Sequence, residues 1–337
     1  MPPTLSGLGK RQYDLGRKGH HGSRNMKVFV TGGAGFIGSH LVDRLMSEGN
    51  RVTVYDNLTS GKKEFIEHHL GKRNFKLVEA ELLERDKVKA AIAGHDVVFH
   101  LSANPDARWG IDNTELDLKQ ETIATYNVLE SMRLSRVKRI VFSSSGTIYG
   151  ETPVIPLPED YGPVLPASLY GAGKLASEGL ISAFCVTFDM QSWIFRFANV
   201  VGRRTTHGVI FDFINKLKQD PTELKILGDG TQCKPYLHIE DCVAGILFGL
   251  KNSRDRINVF NLGCPSATNV TMIAKMLVQE MGLNDVKFRY TGGDRGWPGD
   301  IPQVRFNVQK MSNLGWNARY TSDEAVKKAI RDILGKV

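Results

Sequence analysis

The stretch Val30-Thr-Gly-Gly-Ala-Gly-Phe-Ile-Gly-Ser-His40 decides the fold of this 337-residue chain. The apolar run Lys27–Val30 predicts a strand directly before it, and the spacing of apolar residues predicts a helix over Phe36–Met46. A strand, a Gly-rich turn and a helix in this order begin the βαβ unit that binds dinucleotides, with the phosphates on free N–H groups of the helix N-terminus. The predicted cofactor-binding residues of this turn are Gly32, Gly35, Phe36, Ile37 and Gly38.

The second strand indicates which dinucleotide is bound. Alternating β-branched residues predict strand Arg51–Tyr55, which leads into Asp56 and Asn57. An acidic side chain about 20 residues past the glycines accepts hydrogen bonds from the hydroxyls of the NAD ribose, and it repels the additional phosphate of NADP. We therefore predict NAD as the cofactor, with Asp56 on its ribose.

Strand and helix patterns continue to alternate beyond this unit. Further strands are predicted at Phe75–Val78, Asp96–His100, Arg139–Ser143 and Ser192–Phe195, and helices at Arg85–Ala93, Leu116–Leu134 and Ser168–Phe188. This order implies right-handed βαβ units in a doubly wound parallel sheet of the α/β class. We expect the dinucleotide-binding domain to span residues 26–190. A smaller α/β substrate lobe, interleaved with it, should occupy most of residues 191–337.

Composition excludes several other classes of protein. Hydrophobic residues make up 41% and charged residues 24%, as in globular domains, and no apolar run approaches the ~18 residues of a membrane span. The net charge is +8, but no basic run has interleaved aromatics, so nucleic acid is not a predicted partner. Residues 1–25 form a basic, Gly- and His-rich segment that we interpret as a disordered arm, with a transit peptide as the alternative.

The cysteine pattern indicates where in the cell the protein is located and whether it binds a metal. None of the four lies in a CxxC pair, and no histidine cluster completes a zinc spacing. They are Cys185, Cys233, Cys242 and Cys264. Reduced thiols are typical of cytoplasmic proteins, so we expect a cytoplasmic location and no metal.

A tyrosine and a lysine four residues apart are the strongest catalytic candidates. Tyr170 and Lys174 share one face of the predicted helix Ser168–Phe188, because residues at i and i+4 are neighbours. A free phenol has a pKa near ~10, and a nearby ammonium favours its ionised form. The serine run Ser143-Ser-Ser145 follows a strand whose carboxyl end should line the ligand crevice, so Ser144 or Ser145 is expected to contact the reacting oxygen.

Five sequence motifs together resemble a known family, the extended short-chain dehydrogenase/reductase enzymes that act on nucleotide sugars. They are TGGAGFIGSH, FSSSGTIYG, YGAGK, RFANVVGRR and TGGDRGWPGD. The likeness extends from about Met26 to the C-terminus and is greatest to UDP-glucose 4-epimerases of the NAD-dependent epimerase/dehydratase family. It implies interconversion of UDP-glucose and UDP-galactose through a transient 4-keto sugar, by a homodimer.

The resemblance also implies roles for particular residues. Ser145 would be the catalytic hydroxyl, Tyr170 the acid/base, and Lys174 its partner on the nicotinamide ribose. Glu81, followed by Leu82, falls where relatives place an aspartate that meets the adenine. The UDP-sugar would contact Ser145, Asn199, Lys234, Arg295 and Asp300.

Three further positions depart from the family pattern or affect specificity. Glu121 stands where an asparagine is usual, which is expected to alter local contacts or a water chain. Lys234 stands where many relatives have an arginine, and it keeps the charge without the bidentate geometry. Val304 falls at a position that lines the sugar pocket in relatives, where a small side chain leaves room for a UDP-N-acetylhexosamine.

The sequence is also compatible with other activities. UDP-glucuronate is an alternative substrate if Arg196, Arg203 or Arg204 pairs its carboxylate. UDP-GlcNAc is another, and a different nucleotide-sugar dehydratase or reductase is a third. Dehydratases of the family carry an acidic pair where this chain has Gly146 and Thr147, which counts against dehydration. A non-catalytic NAD-binding protein is the alternative of a different class.

Overall fold

The computed structural model describes residues 25–336, and the predicted basic arm lies outside this range except for its last residue. Its strands are β1 Lys27–Thr31, β2 Arg51–Asp56, β3 Phe75–Glu79, β4 Val97–His100, β5 Arg139–Ser145, β6 Gln191–Phe197, β7 Asn199–Val201, β8 Glu223–Ile226, β9 Cys233–Lys234, β10 Tyr236–His238, β11 Ile257–Leu262, β12 Thr268–Asn269 and β13 Lys287–Tyr290. Its α-helices are α1 Phe36–Ser47, α2 Arg85–Ile92, α3 Trp109–Asp112, α4 Thr114–Asp117, α5 Ala124–Leu134, α6 Leu169–Phe188, α7 Val209–Gln219, α8 Ile239–Asn252, α9 Val270–Met281, α10 Gln309–Asn313 and α11 Ser322–Leu334.

The main sheet confirms the predicted doubly wound parallel architecture. Its strand order is β11-β6-β5-β4-β1-β2-β3, and all six pairings are parallel. The order reverses direction between β1 and β4, where the two halves of the sheet meet. Ligands of open α/β sheets bind outside the carboxyl ends of the strands at this kind of switch point.

Hydrophobic packing covers both faces of the sheet and holds the smaller lobe. One buried cluster joins α1 and α8 to the sheet, and a second joins α2, α5 and α6 to its other face. A third cluster lies in the lobe and unites α7, α9 and α11 with β8. Because helices cover both faces, the central strands are apolar on both sides, and β4 is fully buried.

Among the elements that differ from the sequence prediction, two belong to the main sheet or to the helices that cover it. The continuous helix predicted over Leu116–Leu134 is interrupted, since Leu118–Ile123 winds as a π-helical turn between α4 and α5. Strand β11 was not predicted, because Asn258 and Asn261 break its apolar pattern. Both asparagines are nevertheless buried, and their side-chain amides donate to backbone carbonyls.

The boundary between the two domains stays a prediction. Strands β6 and β11 both come from the part assigned to the lobe, and both pair within the main sheet. The Pro-rich stretch 153–166 contains no helix or strand, as expected. Within residues 25–336, every helix is too short or too polar to cross a membrane.

Candidate active site

A cavity of about 800 Å³ extends along the carboxyl ends of the sheet strands and into the lobe. The Gly-rich turn and Asp56 line one end, Tyr170 and Lys174 line the middle, and Lys234 and Asp300 line the far end. Most of the residues predicted from sequence therefore face a single continuous space. A cavity of this size is typical of sites for small ligands and cofactors.

The Gly-rich turn approaches the sheet so closely that side chains are excluded from it. Gly32 has a φ of +68°, and a Cβ at this position would lie 2.7 Å from the backbone nitrogen of Ser102. A Cβ at Gly38 would lie only 2.0 Å from the carbonyl oxygen of Gly32. Helix α1 begins after Gly35 without a side-chain cap, which leaves its first N–H groups free for an anion. The close turn and the free N–H groups of α1 are suited to binding the pyrophosphate of a dinucleotide.

Asp56 is held at the end of β2 by backbone donors. Its Oδ2 accepts from the N–H of Ala34 at 2.9 Å, and its Oδ1 accepts from the N–H of Leu58 at 2.9 Å. Each carboxylate oxygen has a second lone pair, so the group can still accept from ribose hydroxyls. Burial raises the pKa of Asp56, and these backbone hydrogen bonds oppose that rise.

The end of the cavity beside Asp56 contains a second acidic group. Asn57 Nδ2 donates to Glu81 Oε2 at 2.7 Å, and the N–H of Leu82 donates to Glu81 Oε1 at 2.9 Å. Asn57, Glu81 and Leu82 all line the cavity, together with Phe36 and Ile37. The structure thus brings every predicted cofactor residue to the same cavity.

Helix α6 presents the predicted catalytic pair. Ser168 caps its N-terminus by accepting from the N–H of Gly171 at 3.1 Å. Lys174 is only 1% exposed, and its Nζ lies 5.6 Å from the Tyr170 ring centre and 4.9 Å from that of Phe142. Burial raises the pKa of the Tyr170 phenol above 10, the charge of Glu121 raises it further, and the hydrogen bond with Ser145 lowers it.

The structure distinguishes the two candidate serines. Ser144 lines the cavity, but it is buried and its hydroxyl donates to Glu178 Oε1 at 2.5 Å, so that proton is not free for a ligand. Ser145 bonds to Tyr170 and accepts from the Thr147 hydroxyl at 3.0 Å. Ser145 is therefore the serine that shares a hydrogen bond with the phenol.

The predicted UDP contacts are only partly brought together. Asn199 follows β6 and bonds to Tyr236, while Lys234 and Asp300 form an ion pair across the far end of the cavity. Arg295 does not line the cavity, and instead pairs with Glu151 on the surface. It remains linked to the site because its Nη1 donates to the carbonyl oxygen of Asp300 at 3.2 Å.

The arginines considered for a sugar carboxylate are engaged elsewhere. Arg196 forms a bidentate pair with Glu178, with separations of 2.8 and 3.0 Å. Arg204 pairs with Asp43 at 2.8 Å, and Arg203 is exposed and outside the cavity wall. Sequence reasoning could not foresee these partners because they lie far away along the chain.

Val304 also lies outside the cavity, contrary to expectation. It packs against the main hydrophobic cluster, and its N–H donates to the carbonyl oxygen of Cys233 at 3.2 Å. A small residue at this position therefore does not enlarge the cavity for an N-acetyl group.

Several cavity residues were not predicted. They come from loops, from the lobe or from the start of the short helix α3, where periodicity carries little information: Arg108, Trp109, His207, Gln232 and Trp297. Glu121 is a different case, because the sequence singled it out as a departure without indicating its partner. Its Oε2 lies 2.9 Å from Lys174 Nζ, and both side chains are 1% exposed.

Comparison with known proteins defines the class. Residues 28–263 match the NAD dependent epimerase/dehydratase family, and the chain belongs to it. NAD, predicted from Asp56, is the cofactor of this family and fits the cradle described above.

Relatives within this family differ in activity. A crystal structure of a UDP-galactose 4-epimerase is 38% identical with a TM-score of 0.81, covering 91% of this chain and 98% of that one. A putative UDP-glucose 4-epimerase of Methanocaldococcus jannaschii is 30% identical, covering 90% of this chain and 97% of that protein. UDP-glucuronic acid decarboxylase 1 of Xenopus tropicalis is also 30% identical, over 90% of this chain and 71% of that protein. The chain is thus an enzyme of a nucleotide-sugar family in which several reactions occur.

Proposed function

We propose that this chain is an NAD-dependent 4-epimerase of UDP-hexoses that interconverts UDP-glucose and UDP-galactose. The observation that carries the proposal is the single cavity that joins the dinucleotide turn, the Tyr170–Ser145 hydrogen bond and the Lys234–Asp300 pair. A ligand that spans this space has its reacting carbon beside the phenol and its charged end in the lobe.

Each residue has a defined task in this reaction. NAD, when bound, supplies the acceptor for the hydrogen that leaves C4 and is later returned to it. Tyr170 removes the proton of the sugar 4-hydroxyl and restores it to the 4-keto sugar after the ring has turned. Ser145 holds the same sugar oxygen within reach of the phenol. The ammonium of Lys174 favours the ionised phenol.

Epimerisation requires that the enzyme bind the diphosphate half of the substrate tightly and the hexose half weakly. The diphosphate must stay bound while the hexose rotates to present its other face. Lys234 and Asn199 at the far end of the cavity are suited to the first task, and Arg295 supports Asp300 from outside.

The residues beside Ser145 count against dehydration and decarboxylation. Gly146 has no side chain, and a Cβ there would lie 2.2 Å from the ring of Phe306. Thr147 donates its hydroxyl to Ser145 at 3.0 Å and has no acidic function. Both reactions need an additional acid or base at this place, and neither residue supplies one.

The test uses the purified chain reconstituted with NAD. UDP-galactose, UDP-glucose, UDP-GlcNAc and UDP-glucuronate are each supplied, and the products are separated by anion-exchange chromatography. We expect interconversion of UDP-galactose and UDP-glucose without net consumption of NAD. The proposal fails if neither is converted, or if UDP-glucuronate loses carbon dioxide.

Replacement of Asp56 by alanine should weaken NAD binding by about tenfold to a hundredfold. The reason is the loss of hydrogen bonds to a charged acceptor, worth about 1.5–3 kcal/mol. Because burial raises the pKa of Asp56, affinity in the parent should begin to fall at a higher pH than for an ordinary aspartate as the solution is acidified. Calorimetric titration measures both effects, and exposed Asp255→Asn is the matched control. An unchanged dissociation constant for Asp56→Ala would show that the ribose binds elsewhere.

The proposal includes a homodimer formed through α5 and α6. These adjacent helices expose apolar side chains around a cluster of three aromatic rings. The ring centre of Phe184 lies 6.3 Å from that of Tyr126 and 5.1 Å from that of Phe188. A twofold interface places the same patch on both partners. We expect a dimer by light scattering, and Val186→Glu, at a position 59% exposed, should yield monomers. A monomeric parent protein excludes this arrangement.

A cytoplasmic location is part of the same proposal. The four cysteines are free, and three of them are buried. Cell fractionation with an antibody to the chain tests this, and recovery outside the cytoplasmic fraction would contradict it.

A further inference from the structure

A buried carboxylate faces the lysine of the catalytic pair. Glu121 Oε2 and Lys174 Nζ are 2.9 Å apart, and each side chain is 1% exposed. Water therefore does little to screen the attraction between these two charges.

The backbone is shaped to bring the carboxylate to this position. Glu121 lies in the π-helical turn Leu118–Ile123, and such turns redirect side chains and often occur at functional sites. The carbonyl oxygen of Glu121 accepts from the Ser177 hydroxyl at 3.1 Å. Gly173, directly before the lysine, makes room, because a Cβ there would lie 2.8 Å from the Cβ of Glu121. The pair thus depends on both helices.

The groups that face this pair come from every element packed around it. From the loop after β4, the N–H of Asn104 donates to Glu121 Oε1 at 2.9 Å, and its side chain donates to Asp117 Oδ1 at 2.8 Å. Asp117, at the end of α4, is buried and is the second carboxylate near Lys174. His100 on β4 is buried between two threonine hydroxyls. Burial lowers the pKa of His100 to about 3, so it is neutral.

Lysine and carboxylate act on the phenol in opposite directions. A nearby ammonium favours a phenolate, and a nearby carboxylate opposes it. We propose that Glu121 is a positioning residue that fixes Lys174 and offsets the charge it presents to Tyr170, so that the phenol ionises at a higher pH than lysine alone would allow. This inference rests on the proposed function in one respect, namely that Tyr170 is the acid/base.

Two features of the site support the direction of this effect. Burial raises the pKa of the Tyr170 phenol, and the charges of Glu121 and Asp117 both raise it further. Asp117 remains beside Lys174 when Glu121 is neutralised, so the lysine keeps one carboxyl neighbour. Removal of the Glu121 charge therefore strengthens the electrostatic effect of the Lys174 ammonium on the Tyr170 phenol.

The first experiment titrates the phenol directly and needs no sugar. Near-ultraviolet absorbance of NAD-loaded protein is followed against pH for the parent and for Glu121→Gln. In each case the matching protein with Tyr170→Phe is subtracted, so that only the phenolate of Tyr170 contributes. We expect the midpoint for Glu121→Gln to lie about one pH unit or more below that of the parent.

Two results would overturn the inference. An unchanged midpoint means that the carboxylate does not act on the phenol. A midpoint displaced to higher pH means that Glu121 serves only to keep the lysine charged. Because this readout is independent of turnover, the epimerase proposal can fail while the inference stands, and the reverse is equally possible.

Control variants separate charge from packing. Glu121→Asp retains the charge and should keep the midpoint near that of the parent, whereas Glu121→Asn is a second neutral variant that should behave like Glu121→Gln. Glu130→Gln removes an equivalent charge from α5 at its surface pair with Arg133, and should leave the midpoint unchanged.

Where turnover is measurable, the acid limb of kcat against pH should move with the phenol midpoint. An acid limb that stays fixed while the midpoint moves would also contradict the proposed coupling.

Discussion

Replacement of Tyr170 by phenylalanine is expected to lower epimerase turnover by about 10³-fold while NAD binding is retained. The phenylalanine ring fills the same space beside Lys174, so packing against helix α6 is preserved. The lost hydroxyl is the group that bonds to Ser145 and exchanges a proton with the sugar. Positioned acid–base groups contribute roughly 10²–10⁴ in rate, and this loss lies in the middle of that range.

The measurement compares kcat for UDP-galactose with the dissociation constant for NAD. Tyr290→Phe removes a hydroxyl from an exposed ring on β13, outside the cavity, and is the matched control. A Tyr170→Phe protein with unimpaired turnover would assign the proton transfer to another group. A parent protein that binds NAD but converts no nucleotide sugar would instead favour the non-catalytic alternative.

The dinucleotide end of the site was predictable because its chemistry is local. Strand, turn, helix and acidic residue all fall between residues 27 and 56, and each has a sequence signature of its own. The same holds for Tyr170 and Lys174, whose spacing on one helix places them together whatever the rest of the fold does. The structure brings all of these groups to one cavity.

The pairing of charges was not predictable, because it depends on contacts between distant segments. Ser144 and Ser145 are neighbours in sequence, and only the approach of Glu178 from α6 distinguishes them. Arg196 was considered a ligand for a sugar carboxylate, but the same glutamate binds it. The partner of Glu121 depends on a π-helical turn, and no periodicity in Leu116–Leu134 indicates where such a turn occurs.

The buried pair of Arg196 and Glu178 leads to the largest expected effect on stability. Its side chains are 10% and 8% exposed, and the guanidinium also donates to the Tyr149 hydroxyl at 2.9 Å and to the carbonyl oxygen of Glu159 at 2.7 Å. Arg196→Met fills similar space but leaves Glu178 with only the Ser144 hydroxyl as a donor in this network. Breaking a buried pair on one side costs about 3–5 kcal/mol, so the free energy of unfolding should fall by that amount at neutral pH.

The dependence of this loss on pH distinguishes an unpaired charge from a packing defect. Without arginine, the buried carboxyl of Glu178 is penalised only in its charged form, because a neutral carboxylic acid tolerates burial better. The deficit should therefore be complete at neutral pH and should shrink on acidification, since protonation then removes the charge from both the folded and the unfolded state. Urea unfolding followed by tryptophan fluorescence at several pH values measures it. A deficit of the same size at every pH would indicate lost packing alone.

Two further variants separate the effect of the unpaired charge from that of lost contacts. Removing both partners, as Arg196→Met with Glu178→Met, leaves no uncompensated charge, so stability should recover most of the loss in a double-mutant cycle. Arg256→Met breaks an exposed pair with Asp189 that is 3.6 Å long, and it should change the unfolding free energy by less than about 1 kcal/mol. If the double variant is as unstable as Arg196→Met, the cost comes from the lost hydrogen bonds to Tyr149 and Glu159 rather than from the stranded carboxylate.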